Sequence, residues 1–383
     1  MGRIMRFRAL DGWRGVCALL VAAHHIEVHG ALYWQPLVRN AWLFVDFFFV
    51  LSGFVIAHAY GEHLAKAAEI KAFAIRRFGR LWPLHVAMLL ALIGLELAHL
   101  AIAHWHPIAG ERAAFTADRS PYAIFTNLIL IQSMGLHPYE TWNGPAWSIS
   151  AEFYTYLIFA AVCFAAPSRR LRLVFCALLA LAGVVVLARF SRYGMRETFD
   201  WGAARCIYGF FVGVLTYEIW KTGIARHIGG TLAEGLMLAA VIAFLTFVPG
   251  HFALEYFATP LFAIAVLVFA GESGLVSRLL ISRPGAALGR WSYSIYMVHT
   301  LVLAVLFSAL HAGQIVFHKR WLIDLPDGNA IIDLGFKHFA SGVMAFYLAT
   351  VIALAALTWR IIEQPGQRFF NRLASAKSAK NAT

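Results

Sequence analysis

Asp46-Phe47-Phe48-Phe49-Val50-Leu51-Ser52-Gly53-Phe54-Val55-Ile56-Ala57 is a stretch in which one carboxylate is followed by eleven uncharged residues. Extended to 41–60, it matches the length of about 20 predominantly apolar residues that a helix needs to cross a bilayer. Runs of the same kind recur at 10–28, 82–104, 146–166, 173–190, 203–220, 232–248, 254–271, 291–310 and 336–358, so about ten spans use nearly the whole chain. Composition agrees: of 383 residues, 61% are hydrophobic and 14% charged, with a mean hydropathy of +0.68. A soluble domain sits near about 45–50% apolar and about 25% charged. A disordered chain, a secreted disulfide scaffold and an ordinary cytosolic enzyme are excluded, and no length remains for a separate soluble catalytic domain. The expected fold is all-α, a polytopic membrane helical bundle.

A formal charge of +12, from 32 Lys and Arg against 20 Asp and Glu, would in a soluble chain raise nucleic acid as a partner. Here the basic residues fall in short clusters between apolar runs, which is how topology is set in a membrane protein, and no nucleic-acid partner is expected. Arg3, Arg6 and Arg8 precede the first run, and Lys66, Lys71, Arg76, Arg77 and Arg80 lie between the second and third. Arg169, Arg170 and Arg172, then Lys221 and Arg226, then Arg278, Arg283 and Arg290, then Arg360, Arg368, Arg372, Lys377 and Lys380 fall on the same side of an even-numbered bundle. By the positive-inside rule both termini are cytoplasmic. A cleaved signal peptide is disfavoured, because Asp11, Arg14, His24 and His25 interrupt the first apolar run. Cys17, Cys163, Cys176 and Cys206 read as buried small hydrophobes. Within 105–145 the run Tyr122 to Met134 is too short to cross and reads as re-entrant or interfacial. That segment and the loop 311–335, with Lys319, Arg320, Asp324 and Asp327, lie where an external substrate would be met.

Ionisable side chains inside spans are costly and therefore point to function. With a helical rise of about 1.5 Å per residue, His25 on the first span, Asp46 on the second and Glu152 on the fourth reach one layer toward the outer face. A histidine with carboxylates at one depth is the material of general base catalysis; a buried polar network tying helices together uses the same residues. His24 is turned about 100° from His25, and His299 reads as an interhelical hydrogen-bond partner. Arg14 and His25, eleven residues apart, return to within roughly 20° of one face, about 16 Å apart along the axis. Asp11 is placed to pair with Arg14, whose plainer reading is a snorkelling anchor. The basic loop Arg76-Arg77-Phe78-Gly79-Arg80 offers a compact anion site suited to phosphates, or contact with lipid phosphates.

These residues resemble the acyltransferase-3 family of integral membrane O-acyltransferases nearly from end to end. Phe7-Arg8-Ala9-Leu10-Asp11-Gly12-Trp13-Arg14-Gly15, with His25 after ten residues, resembles its first-helix motif, and Asp46 to Phe54 its second-helix signature. Arg76 to Arg80 resembles its basic loop and Trp147-Ser148-Ile149-Ser150-Ala151-Glu152-Phe153 its Trp-Ser…Glu segment. Ser292-Tyr293-Ser294-Ile295-Tyr296 with His299, and Ile361-Ile362-Glu363-Gln364-Pro365, resemble its late motifs. The resemblance implies transfer of an acyl group, usually acetyl, from cytosolic acyl-CoA to a hydroxyl on an extracytoplasmic acceptor, often a cell-envelope glycan. It implies residence in the cytoplasmic membrane of a bacterium, a transmembrane domain over 1–370 and a short polar tail over 371–383. Some relatives carry an appended SGNH hydrolase-like domain, for which this chain shows no sequence. On this reading His25 is the general base, with Glu152 or Asp46 orienting it, and Arg14, Arg76, Arg77 and Arg80 hold coenzyme A. Ser148 and the Trp147 indole N–H are the candidate donors to the carbonyl oxygen. No metal is expected, since the histidines are scattered without ligand spacing. The alternatives are a proton-coupled transporter or flippase of a glycan or anionic metabolite, for which no paired inverted repeat is visible, and a non-catalytic membrane sensor.

Overall fold

The structure is a computed structural model, and it describes residues 5–105, 113–324, 330–333, 335 and 337–380. Arg3, Asp327 and the side chains of Arg226, Asp324, Lys377 and Lys380, all named above, lie outside what is described. In chain order the helices are α1 (Arg8–His25), the single turn α2 (Pro36–Arg39), α3 (Phe44–Tyr60), α4 (Ala67–Trp105), α5 (Pro121–Leu128), α6 (Trp147–Ala165), α7 (Arg169–Phe190) and α8 (Gly202–Trp220). There follow α9 (Thr231–Phe247), α10 (Phe252–Glu255), α11 (Ala258–Phe269), α12 (Leu275–Ile281), α13 (Arg283–Phe317), α14 (Lys337–Thr358) and α15 (Gln364–Lys380). Two three-residue strands, β1 (Leu322–Asp324) and β2 (Ala330–Ile332), pair antiparallel. The chain is an all-α, multi-pass membrane bundle.

Every expected span contains a helix. Seven described segments, 41–60, 67–105, 144–165, 169–190, 252–269, 283–317 and 339–375, are long and apolar enough to cross a membrane, and Thr231–Phe247 is a shorter apolar helix. Helices α1 and α8 fall outside that group for a physical reason. Both are surrounded by protein: one face of α1 is buried from Ala9 to Ala23, and α8 buries Arg205 and Phe210. A helix whose neighbours are other helices needs no continuous apolar surface. The outward faces of α4, α7 and α14 do need one, and they expose Leu90, Ile102, Leu181 and Phe346.

Helix α1 lies along α13, and the two meet through glycine. A Cβ on Gly289 would sit 2.6 Å from the Asp11 carbonyl oxygen, and one on Gly15 would collide with the backbone at Leu288. Close approach there sets Arg14 beside Ser292 and His25 beside His299.

Helix boundaries differ from the sequence expectation in three places. Arg76 to Arg80, expected in a loop, lie inside α4, which starts at Ala67. Gly79 does not break the helix, because its missing side chain makes room for the Phe370 ring of α15. Helix α13 starts at Arg283 and runs to Phe317, so the loop expected over 311–335 is shorter. After α14 the chain passes through one π-helical turn, Trp359–Glu363, into α15, which runs through residue 370 to Lys380. The segment around Tyr122 forms α5, eight residues long and too short to cross.

Candidate active site

Helix α1 carries the two ends of the site. His25, in its last turn, brings Nδ1 to 2.8 Å from the Val21 carbonyl oxygen. A carbonyl only accepts, so Nδ1 carries the proton and Nε2 keeps its lone pair. Backbone thus fixes the ring and its tautomer, the task assigned to a carboxylate by the sequence. His25 lines a cavity of about 620 Å³ with His24, Trp34, Trp42, Glu140, Trp147, Arg196 and Tyr296 among its walls. Its ring lies 4.8 Å from that of His299. His299 is fully buried, and neither of its ring nitrogens makes a hydrogen bond of normal geometry among the described residues. Its ring is therefore a packing surface for His25, and the interhelical hydrogen bond expected of it is accepted by its backbone carbonyl, from the Tyr347 hydroxyl of α14 at 3.3 Å.

Neither carboxylate expected beside His25 is free to reach it. Asp46 receives two hydrogen bonds from Arg205, at 2.9 Å from Nε and 2.7 Å from Nη2, and both side chains are sealed from solvent. The Arg205 guanidinium is held between the Trp42 and Trp147 rings, 5.4 and 5.3 Å from their centres. Glu152 accepts a 2.6 Å bond from the Tyr156 hydroxyl, which in turn lies 2.9 Å from Ser52 Oγ. It lines a second cavity, of about 150 Å³, and not the one that holds His25. Depth along a helix axis could be estimated from sequence, but the direction each side chain takes across the bundle could not.

That second cavity collects the arginines. Arg14, Arg77 and Arg80 line it, with Phe48, Ser52, Ser148, Glu152, Tyr293 and Tyr296. Arg14 donates to Ser292 Oγ at 2.8 Å and to the Gly289 carbonyl at 3.3 Å, and lies 3.3 Å from Asp11. Arg80 is paired with Glu363, which the π turn buries and which also accepts from Ser294 at 2.6 Å. Arg77 rests against Tyr60, Phe73 and Tyr156 and donates from Nη2 to the Tyr60 hydroxyl at 3.3 Å, while its buried Nε has no hydrogen-bond partner among the described residues. Arg76, expected in the same cluster, is absent from this lining, because adjacent helical positions diverge by about 100°. Trp147 and Ser148 part in the same way: Trp147 lines the His25 cavity and Ser148 the arginine cavity.

The cavities run in series. One of about 280 Å³, walled by Arg6, Asp11 and His58, shares Arg14, Leu51 and Val55 with the arginine cavity. The arginine cavity in turn shares Val45 and Tyr296 with the His25 cavity. A buried arginine donor without a partner among the described residues, away from the His25 end of the series, suits a phosphate-bearing ligand. At the other end, burial holds the Glu140 carboxyl above the usual carboxylate range, partly offset by a Thr198 hydrogen bond and the Arg205 charge. Among the described residues no group of three or more His, Cys, Asp or Glu side chains is arranged to hold a metal ion.

Sequence reasoning missed Arg205, Tyr156 and the roles of Tyr296 and Glu363. Arg205 left a signal, an arginine inside an apolar run. Tyr296 and Glu363 stood in recognised motifs, but nothing in one dimension tied Tyr296 to a cavity wall or Glu363 to Arg80.

Residues 7–361 match the model of a family described as an acyltransferase domain. The chain is 26% identical over 404 residues to acyltransferase MdmB of Streptomyces mycarofaciens, covering 97% of this chain and 94% of that protein. It is 32% identical over 163 residues to protein 2 in the picA locus of Rhizobium radiobacter, covering 40% of this chain and 81% of that one. Over 161 residues it is 29% identical to peptidoglycan O-acetyltransferase OatA of Listeria monocytogenes, covering 40% of this chain and 23% of the relative. No solved structure matches it.

Proposed function

The chain belongs to the acyltransferase-domain family, and from that premise we propose that it transfers an acyl group, acetyl in the first instance, from cytosolic acyl-CoA to a hydroxyl of an extracytoplasmic acceptor. The acceptor class is a cell-envelope polysaccharide or lipid-linked glycan, a reading supported by the name of the Listeria relative. The protein sits in the cytoplasmic membrane of a bacterium with both termini inside. The observation that carries the proposal is the series of cavities, with Arg14 and Arg77 at one end and the free Nε2 of His25 at the other.

Arg14 and Arg77 bind the coenzyme A phosphates, Arg77 through its unpartnered Nε, and Arg80 adds a charge held rigid by Glu363. The pantetheine arm lies between Leu51, Val55 and Phe48 and carries the thioester toward Tyr296. His25 Nε2 takes the proton of the acceptor hydroxyl as its oxygen attacks the thioester carbonyl. The new C–O bond forms, the C–S bond breaks, and the proton passes from His25 to the leaving thiolate. The Trp147 indole N–H, on the same cavity as His25, is the better placed donor for the developing oxyanion; Ser148 faces the passage. Asp46 supports the site through Arg205, and Glu152 through Tyr156 and Ser52.

The test is transfer from radiolabelled acetyl-CoA in proteoliposomes given an envelope-glycan fraction. Wild type labels glycan, His25→Ala does not, and Arg14→Ala needs more acetyl-CoA for the same rate. Equal labelling by His25→Ala and wild type removes the catalytic assignment. If no variant consumes acyl-CoA with any acceptor, the transporter reading replaces the enzyme.

A further inference from the structure

A passage joining the two faces of a membrane must be closed when no substrate fills it, or it leaks ions and admits water to the thioester. Among the described lining residues, Tyr296 and Val45 alone are shared by the arginine cavity and the His25 cavity. Tyr296 is buried, and its hydroxyl donates to the Pro145 carbonyl at 2.9 Å and lies 2.9 Å from Ser148 Oγ. Its ring meets Phe48 edge-on at 5.9 Å on one side and lies 5.9 Å from His299 on the other.

We propose that the Tyr296 hydroxyl, held between Ser148 and the Pro145 carbonyl, latches a gate between the acyl-donor passage and the outer cavity, and so decides whether the acyl group meets an acceptor hydroxyl or water. This rests on the acyl-transfer reading above. Ser148 Oγ also donates to the Pro145 carbonyl, at 3.0 Å, so that carbonyl keeps a partner when Tyr296 swings away. Opening therefore exposes no orphaned buried acceptor, which is the expensive part of breaking a buried hydrogen bond. His299 meets Tyr296 edge-on and packs tilted against His25, so displacement of Tyr296 is felt at the base through one intervening ring.

With the gate loosened, a water oxygen attacks the thioester carbonyl, C–O forms and C–S breaks, one of the water's protons passing through His25 to sulfur and the other staying on the acid. The products are the free thiol and acetic acid, which releases that proton to solvent as acetate. Tyr296→Phe removes the latch and keeps the ring; Tyr296→Ala removes both. The first readout is acetyl-CoA hydrolysis without acceptor, relative to transfer with acceptor. That ratio rises by about tenfold in Tyr296→Phe, the scale of losing the one hydrogen bond that the hydroxyl donates, and further in Tyr296→Ala.

The second readout needs no chemistry at the thioester. Ser52→Cys, in a background whose four native cysteines are replaced, places a thiol in the donor passage. A membrane-impermeant maleimide added outside labels it in the Tyr296→Ala protein and not with Tyr296 present. Protection unchanged in Tyr296→Ala, with an unchanged hydrolysis ratio, overturns the gate. If Tyr296→Ala does not fold, the Tyr296→Phe ratio decides alone: unchanged, it overturns the latch. Outside labelling that appears in Tyr296→Ala although no variant consumes acyl-CoA supports the gate and removes the acyltransferase reading.

Discussion

The two main cavities differ in the way their charged groups are held. In the arginine cavity each guanidinium is fixed: Arg14 by Ser292, Gly289 and Asp11, Arg80 by Glu363, Arg77 by three aromatic rings. The space between them is narrow and walled by Phe48, Leu51 and Val55. The His25 cavity is wide, and its rim is drawn from loops and turns, where Arg39 rests on Trp34 at 4.5 Å and Arg196 on Trp42 at 5.0 Å. Neither rim arginine has a carboxylate partner among the described residues. A pre-organised, narrow site binds one ligand with little ordering cost, whereas loops on a rigid scaffold can change without disturbing the fold. On the acyl-transfer reading proposed above, the narrow cavity holds the donor and the loop-walled cavity admits the acceptor.

The sharpest break would come at His25. His25→Ala lowers transfer by about 100- to 10,000-fold, the range for removing a general base, and leaves the unfolding temperature near wild type, as radiolabel assay and melting together check. Next is the sealed pair that separates the cavities' supports. Asp46→Asn strands the Arg205 charge and costs about 3–5 kcal/mol of stability; in a denaturant titration, the double variant Asp46→Asn with Arg205→Leu recovers part of it. Arg77→Ala raises KM for acetyl-CoA by about tenfold or more with kcat little changed, the value of a charge-assisted hydrogen bond. Arg76→Ala changes KM by less than about twofold, and an equal effect at both positions would break the division between them.

The smallest effect is expected beside the β1–β2 hairpin, where His29 and Asp333 lie 3.1 Å apart. Hydrogen bonds from Gly335 and His29 hold the Asp333 carboxyl below the usual carboxylate range. A lowered folded-state value contributes stability above the ordinary carboxylate pKa and loses it as pH falls through the lowered one. Asp333 lies close to water, so Asp333→Asn lowers the neutral plateau of a melting-against-pH curve only slightly, leaves its acid end unchanged and so flattens the acid limb.

Much of this was legible in one dimension. Apolar runs such as 41–60 stated the membrane bundle, because a bilayer demands length and hydropathy that no other setting does. The Arg14 to His25 spacing placed a cation and a base on one helix face, because helical periodicity is local. The Asp11–Arg14 pair followed from the same rule. What the sequence could not state was azimuth between helices. Asp46 and Glu152 have the right depth for His25, yet Arg205 and Tyr156 claim them. Arg76 and Arg77 are neighbours in the chain, yet only Arg77 lines the arginine cavity. Tyr296 became a wall between cavities only when α13 met α1 through Gly15 and Gly289. Spacing along a helix is set by backbone geometry and can be read residue by residue, whereas the partner across a bundle is set by packing among all the helices and exists only once they are assembled.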